Sequence, residues 1–276
     1  MAAALAAMLA PRGGLAQSAG DHSDSARESA RLAIPWRELA PEDRRRVSEI
    51  VADASLYRCL PTRVIDCDDR LFVYLIDHPE LVVDCWNVMG ISQLSLDARA
   101  PGKYAAADPA GAKGELRVVH RSEDNAGAVT MVVLADGEYQ AGPMPHAIYG
   151  GSVMLLRASA AEQDNGRCYV TARLDSFIRF ERKATELVAR TFRPLIVRTA
   201  DHNFIETMRF VSLFSRTAET NPTGMARLAQ QLDSVDPATR REFAAVCQAT
   251  SDRYAARRVR AERVAQAVAL PLSVIR

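Results

Sequence analysis

The sequence predicts an α+β fold: a curved antiparallel sheet of about six to seven strands gripping one long C-terminal helix, with extra C-terminal helices beyond it. Three observations predict it. Strand-like segments separated by turn residues fill residues 91–180 almost without a break. Apolar residues at helical spacing precede and follow that run. Alternating strand–helix units, which build parallel sheets, do not occur.

Taken in order, residues 1–16 carry a short apolar stretch and then Gly14-Leu15-Ala16, which reads either as a secretory signal segment or as an Ala-rich tail. Residues 17–33 are rich in Ser, Asp, Gly and Ala and read as a linker. Order is expected to begin near Ile34. Pro41 suits the first position of a helix, and Glu42 and Asp43 suit its positive end. Val47, Ile50, Val51 and Leu56 then form an apolar stripe. "RVIDCDDRLFVYLI" reads as two β-type runs, 63–65 and 71–76, around an acidic turn. "HPELVVDCWNVMG" reads as a helix, with Pro79 at its start and Gly90 just past its end.

The strand run follows. "ISQLSLDA", "GKYAAAD", "GELRVVHR", "AVTMVVLADGEY", "AIYGGSVMLLRAS" and "RCYVTARLDSFIRF" are each bounded by turn signals. Asn165-Gly166 between two such runs signals a hairpin. Gly150-Gly151 within a strand signals a bulge or a sharp bend. One face of this sheet must be buried, and the flanking helices are what can cover it.

Helical patterning returns at Arg182. "KATELVARTF" is interrupted at Pro194. In "NFIETMRFVSLFSRTAE", Phe204, Met208, Val211 and Phe214 share one side. Asn203 and Glu206 read as a capping box at the start of this helix, with Asn in place of Ser or Thr and Asp201 adding favourable charge. Asn221-Pro222 starts a short helix to Leu232, and Asp236-Pro237 starts a last one from Ala238 to about Ala267. The expected organisation is therefore an α+β domain over 34–232 and a helical extension over 233–276.

Composition narrows the function. Lys and Arg number 35 and Asp and Glu 34, a net charge of +1, so no global field favours nucleic acid or an anionic membrane. The longest dense apolar run in the body, 71–76, is too short to cross a bilayer. None of the five cysteines (Cys59, Cys67, Cys85, Cys168, Cys247) forms a C-x-x-C pair, and they read as small buried hydrophobes. No P-loop, dinucleotide fingerprint, G-x-S-x-G elbow or HExxH pattern occurs, so no cofactor, metal or catalytic residue is assigned. "DCDD", 66–69, reads as a solvated turn, and the basic run 253–263 as a solvated face with internal Arg–Glu pairing. His120 reads as structural, whereas His146, beside Pro145 and a Gly-rich bend, suits a pocket.

The order helix, strand, helix, about six antiparallel strands, helices resembles the START-like, helix-grip superfamily, which includes polyketide cyclases, birch-pollen-type allergens and lipid-transfer domains. The resemblance covers about residues 63–219 and rests on element order. Two features depart from that pattern. The family has two small helices after its first strand where this sequence shows one, and the C-terminal helical region is broken at Pro194 and extended. A cystatin-like or lipocalin-like barrel leaves the helix-rich end unexplained.

The resemblance implies a cavity between sheet and helix that takes a hydrophobic small molecule or lipid. Its expected lining is Met154, Leu156 and Phe177 from the sheet, Phe204, Met208 and Val211 from the helix, and Trp86 and His146 beside them. Two alternatives stand next to this one. One is a cyclase- or hydratase-type enzyme using one His or Asp in the same cavity, with His146 and His202 as the candidates; the other is a non-catalytic envelope protein with a solid core. The protein is secreted or periplasmic if the N-terminal segment is a signal, and cytoplasmic otherwise.

Overall fold

A computed structural model describes residues 20–140, 146–181 and 193–269. The expected signal segment and the helical reading of 182–192 lie outside the described residues. The elements are α1 (Asp24–Leu32), α2 (Pro41–Ala52), β1 (Leu56–Cys59), β2 (Arg63–Asp66), α3 (Asp69–Asp77) and α4 (Pro79–Val88). Then come β3 (Ser95–Ala100), β4 (Lys103–Ala107), β5 (Ala112–Glu123), β6 (Val129–Tyr139), β7 (Ile148–Glu162) and β8 (Cys168–Phe180). The chain closes with α5 (Arg193–Thr220), α6 (Pro222–Gln230) and α7 (Pro237–Ala269).

The expected fold class is the observed one. Eight antiparallel strands form one curved, unclosed sheet in the order β1-β8-β7-β6-β5-β4-β3, with β2 also on β8. β1 and β2 lie end to end along β8. Cys59 faces Asp175 and Arg63 faces Ala172, so four steps on one side match three on the other. Pro61, which has no N–H to give the ladder, sits in that gap. The hairpin at Asn165-Gly166 forms as expected: Gly166 adopts φ +72° and the Gly166 N–H donates to the Gln163 carbonyl at 2.8 Å.

Several local expectations give way. Residues 71–76 are helical, within α3, not a strand. A six-residue apolar run fits either period, and the cap decides: the Asp68 carboxylate accepts from Leu71 N–H at 3.1 Å. Leu56 belongs to β1, because α2 ends at Ala52. Asp24–Leu32, inside the expected linker, is α1; Ser23 caps it and Ala30 is fully buried in the core. Gly150-Gly151 makes no bulge, since the registers with β6 and β8 run through it unbroken. The glycine at 151 serves close approach instead: a Cβ there would lie 2.9 Å from Ile50 Cδ1 and from the Asp136 carboxylate.

The capping box at Asn203 also gives way. α5 begins at Arg193, so "TADHNFIETM" lies inside a helix of 28 residues.

Both faces of the sheet's β1-β8-β7-β6 half are buried, not one. On one side α1 and α2 pack Ala30, Leu39, Val47 and Ile50 against Tyr57, Phe177, Val153, Leu155 and Val132. On the other, α3, α4, α5, α6 and α7 build a larger core around Leu71, Phe72, Leu81, Phe214 and Phe243. All five cysteines are buried and unpaired, and burial pushes the thiols of Cys59 and Cys168 up to about 11, which keeps them protonated and inert.

The acidic turn is not solvated. Asp68 is 1% exposed and accepts from Arg253 (2.6 and 3.0 Å) and Arg257 (3.3 Å) on α7. Asp66 accepts from Arg167 at 2.6 Å. Part of the basic run therefore faces these carboxylates, while Arg258 pairs with Glu262 at 3.3 Å on the exposed side, as the sequence suggests.

On the opposite face Asp175, fully buried, accepts from the Tyr57 hydroxyl (2.8 Å), Arg157 (2.8 Å) and Arg173 (3.1 and 3.2 Å). Burial works against the charge of Asp68 and Asp175, but their arginine partners and N–H or hydroxyl donors outweigh it and hold both carboxyls below the usual range. A carboxyl with a lowered folded pKa stabilises above its unfolded pKa, and that contribution is lost as pH falls through the folded one. Burial raises Glu219 instead, a change of opposite sign that one group cannot balance against two. Melting temperature should therefore hold above about pH 5 and drop as the pH falls below the ordinary Asp range near 4. A scan of thermal melts against pH checks this, and Asp175→Asn should flatten the acid limb.

Candidate functional site

Cross-strand neighbours share a face of a sheet. Leu56 opposite Ile178, Arg58 opposite Ser176, Ser176 opposite Met154 and Leu174 opposite Leu156 therefore point one way, as do Met131 and Val133 on β6. Opposite them α5 presents Ala200, Asn203, Phe204, Thr207 and Met208, the i, i+3, i+4, i+7, i+8 pattern of one helix face. Trp86 on α4, with Ser92 and Leu94 after it, closes a third side. These walls line a half-open cavity of about 340 Å³, within the range of small-molecule sites. Further along α5 the same layer is filled by rings: Phe210 and Phe214 lie 5.1 Å apart, Phe214 and Phe243 5.7 Å, and Phe243 and Tyr74 6.4 Å between centroids.

The walls are nearly all apolar; Arg58, Ser92, Ser176, Asn203 and Thr207 are the polar residues among the described lining. Arg58, 7% exposed, donates Nε to Asp201 Oδ1 at 2.9 Å and Nη2 to Asp201 Oδ2. This bidentate pair is neutral overall and satisfies both carboxylate oxygens. Two residues on, Asn203 is 4% exposed, and neither its Nδ2 nor its Oδ1 has a hydrogen-bond partner among the described residues. An amide buried in that state costs about 1–3 kcal/mol. Ser176, opposite Arg58 on β8, lines the same space. Arg58 is the one ionisable side chain among the described lining residues.

Of the residues expected to line the cavity, Trp86, Met154, Leu156, Phe204 and Met208 do so. Phe177 does not. It is the partner of Val153, so strand alternation turns it to the opposite face, where it packs 5.0 Å from Tyr57. Val211 is buried in the larger core beyond the cavity, and His146 is exposed at the bend before β7. His202 follows Asp201 on α5 but is not among the described lining residues; its Nε2 is buried without a hydrogen-bond partner among the described residues. His120 is held by Ser122 at 3.0 Å on β5, away from the cavity. Among the described residues, no group of three or more His, Cys, Asp and Glu side chains is placed to hold a metal ion.

Sequence reasoning missed Arg58 and Leu174 through their unread register, and Asn203 by treating it as a cap. No alternating pattern marks Arg58: in "SLYRCLP" the apolar residues fall in adjacent pairs, and only pairing with β8 places it.

No protein-family model matches the chain, and no curated protein matches it. Among solved structures it is similar to a conserved protein from Geobacillus kaustophilus, at 13% identity and a TM-score of 0.37, over 54% of this chain and 91% of that one. It is also similar to the di-domain ARO/CYC BexL from the BE-7585A biosynthetic pathway, at 16% identity and a TM-score of 0.31, over 60% of this chain and 52% of BexL. Neither likeness assigns a family. No described helix is long and apolar enough to cross a membrane.

Proposed function

We propose that this protein binds one hydrophobic small molecule, or the apolar part of a lipid, between α5 and the sheet. The observation that carries the reading is the apolar cavity of about 340 Å³ at that place. Element order supports it. α3 and α4 both follow the first strand segments, so the departure noted in the sequence, one helix where the helix-grip pattern has two, disappears. Burying the apolar part of such a ligand would supply the affinity, at roughly 25 cal/mol per Å² of surface removed from water.

The cyclase-type alternative would place a histidine in the cavity as acid or base. His146 and His202 are both outside its lining, so the binding reading is preferred. A solid envelope core leaves the cavity without a purpose.

Native mass spectrometry of protein purified without detergent tests the reading. A second mass, of the chain plus one small molecule, removable by organic extraction, is expected. The bare chain mass alone, from fresh and extracted samples alike, would contradict it.

A further inference from the structure

We propose that Asn203 is the polar anchor of the cavity, and that the ligand carries one neutral group that both donates and accepts a hydrogen bond. A carboxamide or a hydroxyl beside a carbonyl has that chemistry. The inference rests on the binding reading above and adds the ligand's recognised end.

Asn203 lies on the inward face of α5, between Ala200 and Phe204, and its side chain is more than nine-tenths buried. Its carboxamide offers donors at Nδ2 and lone pairs at Oδ1, and neither atom has a hydrogen-bond partner among the described residues. The neighbouring Arg58 and Asp201 pair with each other and make no hydrogen bond to the Asn203 amide.

Asparagine is also a poor residue for this position on helical grounds, ranking below leucine in propensity. Leucine has nearly the same shape and would suit the apolar walls, so packing does not call for an amide. What a carboxamide adds is recognition: one acceptor and one donor, side by side, with no net charge. The closed ion pair beside it leaves no unbalanced charge to draw an ionic headgroup.

Two probes of matched shape separate recognition from packing. 2-Naphthamide carries the donor–acceptor group; 2-ethylnaphthalene replaces it with carbon. Binding of each to the wild-type protein and to Asn203→Leu is measured by calorimetric titration. Asn203→Leu is expected to weaken naphthamide about tenfold or more, the scale of a lost hydrogen-bonding partner, while ethylnaphthalene binds equally or more tightly. The variant's melting temperature is expected to hold or rise, since it removes an unpartnered buried amide.

Asn203→Ala gives the same comparison with the smaller side chain, and the ratio of the two affinities is the readout in both. An unchanged ratio overturns the anchor while leaving the cavity reading intact. Failure of both probes to bind the wild-type protein overturns the cavity reading and the anchor with it.

Discussion

Asp68→Ala should lower the melting temperature by about 6–12 °C, equivalent to about 3 kcal/mol in a chain of this length. Two losses add. Asp68 caps α3 through Leu71 N–H, and a lost cap costs typically about 1 kcal/mol. It also takes bonds from Arg253 and Arg257 while only 1% exposed itself. Removing one partner of a buried pair strands the other charges. Here the penalty is moderated because the Arg253 and Arg257 side chains are 32% and 19% exposed and regain some water. Asp68→Asn separates the two effects, since asparagine caps as well as aspartate but carries no charge, so it should cost less than the alanine. Thermal melts of both variants and of Arg253→Ala measure the coupling. A shift under about 2 °C for Asp68→Ala would mean that α7 is not held to α3 in this way.

Met208→Trp should remove ligand binding and leave the fold nearly as stable as before. Met208 lies on the cavity wall, one turn from Phe204 and beyond Thr207. In a solid core the larger ring would force neighbours off their rotamers, at about 1–3 kcal/mol. Beside a space of about 340 Å³ it has room to enter. The expected change in melting temperature is therefore under about 3 °C, roughly 1 kcal/mol. Val211→Trp is the matched contrast. Val211 sits in the filled core beyond the cavity, and the same ring there should carry the full overpacking cost.

How much of this was legible in the sequence depends on how local the signal was. Helix α4, with Pro79 at its start and Gly90 in the left-handed region at φ +68° behind it, could be read from its ends. The same holds for the caps at Asn221 and Asp236, which accept from backbone N–H groups within three residues. The run from β3 to β8 was legible because alternation and turns repeat.

What failed needed distant information. Helix α3 is six apolar residues long at its centre, and only its cap separates it from a strand. Asn203 fits a capping pattern locally, but α5 already runs from Arg193, ten residues ahead of it. The pairing of Asp68 with Arg253 spans 185 positions, so the acidic turn and the basic run each looked solvated alone. The cavity residues were half legible. Helical spacing gave Phe204 and Met208, whereas choosing the inward strand residues required a register, and without it Phe177 was put on the wrong face.

A fluorescence titration tests the cavity most directly. The chain has two tryptophans, Trp36 and Trp86. Trp36 packs with α1 and α2 on the far side of the sheet, so Trp36→Phe leaves Trp86, in the cavity wall, as the sole reporter. Titrating that protein with the neutral apolar probe N-phenyl-1-naphthylamine should quench Trp86 saturably at one probe per chain. Introducing Met208→Trp in addition should abolish the probe's saturable binding, read from the probe's own emission. Linear, unsaturable quenching of Trp86, or unchanged probe binding with Met208→Trp present, would contradict a ligand cavity between α5 and the sheet.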